Sequence, residues 1–206
     1  MKRLVLLLFL ASSIVVTTGL QAESINPVVQ YTTVGTSSDA SGLNYTLGYS
    51  FTTSTAFSIN ALGVWDDGLG NDRQVGLWDS EGNLLASTSV SGSASAMDNF
   101  QWASIDYELA AGSYVIGAEY LSGGPFPILA SGITSLPGYT WVADEYVSGP
   151  GLNFPTDTSG TGFYGDNGIL YADFSVESAV PEPSSFLLLG SGLAGLAGLI
   201  RRKLKA

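Results

Sequence analysis

From residue 23 to residue 178 the chain alternates. Apolar side chains recur at every second position over short runs, and clusters of Gly, Ser, Asn and Asp separate the runs. A period of two predicts half-buried β-strands, and the clusters predict turns. Strands are expected near Pro27–Val34, Tyr45–Thr53, Phe57–Asp66, Gln74–Ser80, Leu84–Val90, Phe100–Tyr107, Ser113–Leu121, Phe126–Ala130, Thr140–Val147 and Ile169–Val176. Tyr114, Ile116, Ala118 and Tyr120 share one strand face, as do Leu170, Ala172, Phe174 and Val176. Val75 and Leu77 point opposite to Trp78. Ser80-Glu81-Gly82-Asn83 predicts a hairpin in which Gly82 and Asn83 tolerate positive φ. Leu109-Ala110-Ala111-Gly112 predicts a tight turn into the Tyr114 strand. Residues 148–168 are Gly-rich and predict a long loop. No window here has a helical period. Many short strands without crossover helices predict an all-β fold, a single jelly-roll-like β-sandwich.

The two ends break this pattern. Lys2 and Arg3 precede an apolar run from Leu4 to Val16, and Thr17 to Ala22 is small and polar. That order reads as a signal peptide over residues 1–22, cut after Ala22. Near the other end stands Val180-Pro181-Glu182-Pro183-Ser184-Ser185, then an apolar run from Phe186 to Ile200, then a basic tail over residues 201–206 with Arg201, Arg202 and Lys203. The 15 apolar residues make a helix of about 22 Å at about 1.5 Å per residue. The flanking serines and the snorkelling stems of Arg201 and Lys203 extend it toward the roughly 30 Å of a hydrocarbon core. Basic residues stay cytoplasmic, so residues 23 to about 185 are expected outside the inner membrane. Two prolines suppress helix at 181 and 183, which keeps the peptide outside the membrane extended. Small residues four apart, such as Ser191 and Gly195, allow close approach of another helix. The division is therefore 1–22 signal peptide, 23–178 β-sandwich domain and 179–206 sorting signal.

At Pro181-Glu182-Pro183, with the helix and Arg-rich end behind it, the chain resembles the PEP-CTERM proteins of Gram-negative bacteria. The resemblance covers about 26 of 206 residues. It implies recognition by an exosortase, a membrane-embedded, cysteine protease-like enzyme. It also implies passage through the secretion machinery, removal of the tail and transfer to the surface, often alongside exopolysaccharide production. Ala61 through Gly70, then Gln74-Val75-Gly76-Leu77-Trp78-Asp79, Gly82 through Ala86, and Leu109 through Tyr120 resemble a sandwich domain often joined to such tails. That second resemblance implies a fold and no activity.

Charge narrows the partners. Residues 23–180 carry 17 acids against a single cation, Arg73, a net charge near −16. Such a surface repels nucleic acid and anionic lipid. There is no Cys in the chain and no His or Lys in this region. Disulfide staples, Ser-His-Asp, Cys-His and Ser-Lys catalysis, and His-based zinc sites are thereby excluded from the domain.

Three constellations remain. Asp66, Asp67, Asn71 and Asp72 crowd one loop with the oxygen ligands Ca²⁺ prefers, but without EF-hand spacing. The alternative is a solvated turn in which Arg73 pairs with a neighbouring carboxylate. Asp166-Asn167-Gly168 is a weaker set of the same kind. Trp65, Trp78, Trp102 and Trp141, with ten Tyr, make either a sugar-stacking face or sandwich core; core is favoured, for Trp65 and Trp78 especially. Glu119, Asp144, Glu145 and Asp173 are the acids from which a glycosidase pair would come. The expectation is a non-enzymatic, exported surface or matrix protein that needs no cofactor. Carbohydrate binding to exopolysaccharide is the alternative and a glycosidase the more distant one.

Overall fold

The computed structural model describes residues 24–38, 42–158 and 171–177. The expected signal peptide, the sorting motif with its apolar run and basic tail, Asp166 and Leu170 lie outside the described residues.

Every element described is a strand: β1 (Val29–Gln30), β2 (Thr33–Ser38), β3 (Tyr45–Thr53), β4 (Phe57–Trp65), β5 (Arg73–Asp79), β6 (Leu84–Val90), β7 (Phe100–Leu109), β8 (Gly112–Tyr120), β9 (Pro125–Ser131), β10 (Thr134–Ser135), β11 (Tyr139–Ser148), β12 (Asp157–Thr158) and β13 (Ala172–Val176). A six-stranded sheet runs in the order β12-β11-β3-β8-β5-β6 and a three-stranded one in the order β13-β4-β7. Two short pairs, β1-β10 and β2-β9, complete the set. All pairings are antiparallel.

The two larger sheets pack together in a sandwich-like core. On the large sheet, Leu47, Tyr49 and Phe51 of β3 alternate inward beside Ile116, Ala118 and Tyr120 of β8, and all six are buried. On the small sheet, Phe174 stands in register with Leu62. Phe174 bridges the layers, with ring centroids 5.2 Å from Phe51 and 6.2 Å from Tyr139. Such aromatic pairs add specific geometry to the area they bury.

Two differences from the alternation pattern have a physical cause. The run expected as one strand from Pro27 to Val34 divides into β1 and β2, which pair with different partners, β10 and β9. Between them Tyr31 turns onto Trp65 and Phe100, at 6.3 and 6.4 Å. In β13 all five residues are buried rather than alternate ones. The reason is that residues 26–28 lie along its outer edge: Pro27 bridges Ser175, and the Val28 amide donates to the Phe174 carbonyl.

The long Gly-rich loop is ordered where it is described. After β11 it folds back over the outer face of the large sheet. That face has a row without side chains, because Gly48, Gly117 and Gly76 stand side by side in register across β3, β8 and β5. Trp78 lies across Gly76, where a β-carbon would fall 2.6 Å from the indole ring. Leu152, Phe154 and Pro155 then close over Trp78, Gly82 and Gly117. The Asn153 amide donates to Thr46 Oγ1 at 2.9 Å, which fastens this strap. Trp78 is thus buried, though outside the sandwich core.

Candidate functional site

The acidic loop between β4 and β5 is held from within. Asp66 Oδ1 accepts from the Gly68 amide and Asp67 Oδ1 from the Leu69 amide, so each carboxylate closes its own tight turn. The other Asp67 oxygen meets Arg73 Nη2 at 2.5 Å, and both side chains are almost wholly buried. Arg73 Nη1 donates to the carbonyls of Asn71 and Asp72, at 3.1 and 3.4 Å. Asp72 accepts from the Gly92 amide. The Tyr171 hydroxyl reaches the same Asp67 oxygen at 3.4 Å, which ties the loop to the approach of β13. Burial works against the Arg73 charge, but the hydrogen bond with Tyr171 and the Asp67 carboxylate outweigh it and raise its pKa. The carboxylates of Asp66, Asp67 and Asp72 are therefore each used in local bonds, while Asn71 accepts through its backbone carbonyl. Among the described residues no three acids gather in a group able to hold a metal ion.

Placing Arg73 in the interior has a wider effect. It is the sole cation of residues 23–180, and its side chain is only 2% exposed. Among the described residues, then, every exposed charged side chain is acidic.

The tryptophans divide. Trp65 and Trp78 are buried. Trp102 and Trp141 are half-buried against the core cluster. Trp102 lies over Gly63, its register partner, and its indole N–H donates to the Met97 carbonyl at 3.1 Å. Beside it Asp98 and Asn99 both take positive φ, 53° and 69°, and close a two-residue hairpin between Met97 and Phe100. Both positive angles fit a type I′ turn.

Of the four acids weighed for catalysis, Asp144 and Asp173 are buried on the Tyr49 side and the other two lie on the outer side. Glu119 and Glu145 lie on the outer side of the large sheet, on β8 and β11, with β3 between them. Two strand spacings alone separate them by roughly 10 Å. Burial raises the Glu145 pKa, with the Asp157 charge adding to it against a hydrogen bond from Ser50. Asp144 is buried opposite Tyr49 in register.

Asp173 is the group whose setting the alternation pattern hid. It is 1% exposed. Its Oδ1 accepts from the Phe174 amide at 2.8 Å and the Tyr49 hydroxyl at 3.3 Å, and Oδ2 from the Val29 amide at 3.4 Å. One carboxyl so joins β13, β3 and β1. Burial pushes its pKa up to about 8, against the pull of those three donors. Tyr49 and Tyr139 beside it are also raised, each first by burial.

The described domain closes at β13, and Glu177 donates its amide to the Ser58 carbonyl. Two residues further on the comparisons find their match: residues 179–203 fit the PEP-CTERM protein-sorting motif. That motif marks an exported protein sorted by an exosortase through a membrane-anchored intermediate. Neither a curated protein nor a solved structure matches the chain.

Proposed function

We propose that the chain is a non-enzymatic surface or extracellular-matrix protein, a jelly-roll-like β-sandwich carried outward by its C-terminal signal. The observation that carries this reading is the motif match at 179–203 set directly behind β13. The signal peptide starts export. The apolar run 186–200 holds the chain in the inner membrane, with Arg201, Arg202 and Lys203 on the cytoplasmic side. Cleavage near Pro181, Glu182 and Pro183 then frees a domain whose last strand is already paired with β4. Composition supports the absence of catalysis, since residues 23–180 offer no His, Cys or Lys. Intact mass of the protein recovered from cells with and without the exosortase tests the reading at both processing sites.

A second reading is carbohydrate binding, directed at the cell's own exopolysaccharide. It is supported by Trp102, half-buried and fixed in orientation over Gly63. A surface without exposed cations also favours a neutral sugar over an anionic one. Trp102→Ala should then abolish retention on the purified polysaccharide while leaving the melting temperature within a few degrees. Equal retention of both proteins would remove this reading.

A further inference from the structure

Four strand edges bound the two larger sheets, and two of them are guarded along their length. The β7 edge carries the exposed acids Asp106 and Glu108. The β13 edge is covered by residues 26–28. The third is guarded in part: β12 carries Asp157 and covers β11 at Glu145 and Tyr146 only. Shortness, charge and cover are the devices by which proteins keep sheet edges from pairing with other chains.

The fourth edge, β6, has a bulge opposite Leu77 and Trp78 near its start and lies beside β7 without pairing to it. Among the described residues it is hydrogen-bonded as a strand to β5 alone. It has seven residues, with no proline and no charge. The uncharged stretch runs from Gly82 to Met97, in a region holding 17 acids elsewhere. Leu84, at the start of the strand, is 53% exposed. Ser87 and Ser89 are exposed, while Leu85, Ala86 and Thr88 are half-buried. The margin of the apolar interior therefore reaches the surface here.

We propose that β6 is a self-association edge, pairing antiparallel with β6 of a second copy of this chain across a two-fold axis near Ser87. A two-fold interface brings the same patch of both molecules together. Among the described residues every exposed charge is acidic, so a two-fold contact through a charged face sets like charges against each other. The β6 edge meets main-chain donors, acceptors and uncharged side chains, the terms of strand addition. The six-stranded sheet would continue into its mate, and Leu84, Ala86 and Thr88 would lose their exposure. The remaining acidic surfaces still repel at longer range. Salt, which shortens that range, therefore tightens the pairing.

Sedimentation equilibrium of the exported protein, recovered from culture, tests this. The expected result is a reversible monomer–dimer equilibrium whose dissociation constant falls about tenfold or more between low salt and roughly 0.5 M salt. Ser87→Glu with Ser89→Glu puts acids on both sides of the axis without touching a buried group, and should weaken the dimer at least about tenfold. Thr140→Glu, exposed on the far side of the same sheet, adds charge away from the axis and should leave the dimer unchanged. A wild-type protein that stays monomeric to about 100 μM at high salt overturns the proposal. So does a dimer indifferent to the Ser87 and Ser89 changes, or one equally weakened by Thr140→Glu. Complex formation only with an unrelated extended peptide would assign the edge to another partner and overturn it as well.

Discussion

Asp173 makes stability depend on pH in a direction opposite to that of a salt-bridged carboxylate. Its pKa in the folded protein is about 8 against an ordinary 3.8, because burial disfavours the charge more than three hydrogen-bond donors favour it. The phenols around it are Tyr49 and Tyr139, with Tyr31 on the β1–β2 link also feeling its charge, and buried Asp144 stands opposite Tyr49 in register. The charged partner of the one ion pair found among the described residues, Arg73, is engaged with Asp67. Between pH 4 and 8 the folded state holds a proton that the unfolded chain has released. Folding stability must therefore fall as pH rises through this window. Below the unfolded value the contribution is fully present, and above the folded value it is gone. The separation of the two values corresponds to roughly 6 kcal/mol, a large share of the about 5–15 kcal/mol typical of a domain. Asp173→Asn removes the titration while keeping the shape and an acceptor. Urea unfolding of both proteins across pH 4 to 9 isolates the effect, since the other acids are common to both. The wild type should lose several kcal/mol more than the variant between pH 4 and 8, with the difference levelling above pH 8. A wild-type-minus-variant difference constant within about 0.5 kcal/mol, near the error of such extrapolations, would refute the reasoning.

Other consequences are equally open to measurement. Asp67→Asn leaves Arg73 buried without a counter-charge and should cost about 3–5 kcal/mol by urea unfolding. Asp67→Leu combined with Arg73→Met should cost less than that single change. Phe174→Ala empties the contact between the two sheets and should cost about 3–5 kcal/mol, read as a lower denaturation midpoint at unchanged slope. Gly76→Ala drives a β-carbon into Trp78, and should cost about 1–3 kcal/mol and speed proteolysis within residues 149–158. Saturating Ca²⁺ should leave the melting temperature within about a degree, because a ligand stabilises only through a site that binds it and Arg73 already occupies Asp67. A rise of several degrees would support the acidic loop as a metal site.

The sequence made the strands legible where one face is dry and the other wet. On β8, Tyr114, Ile116, Ala118 and Tyr120 turn to the core as their period of two requires. The hairpin at residues 80–83 was legible from its turn residues, although only Gly82 takes positive φ, at 89°, and Asn83 does not. Periodicity fails where another segment of the chain covers a strand's edge or its outer face. Nothing in β13 marks Asp173 and Ser175 as buried, because the covering residues 26–28 are distant in sequence. Trp78 was expected in the sandwich core; it is buried instead on the outer face, under the Gly-rich strap, whose composition reads as a free loop. The lateral row of Gly48, Gly117 and Gly76 exists only once strand order and register are fixed. As for the site, Pro181-Glu182-Pro183 was legible because a sorting signal is local. The link from Tyr171 to Asp67 and Arg73 was not, since it joins residues about a hundred positions apart.

The most direct measurement is the intact mass of the protein isolated from outside the inner membrane, compared between cells with and without the exosortase. Loss of the residues before Glu23 in both cells, with loss of the residues beyond Pro181–Pro183 only where the exosortase is present, is the expected result. A polypeptide that keeps both ends in exosortase-containing cells would contradict the account.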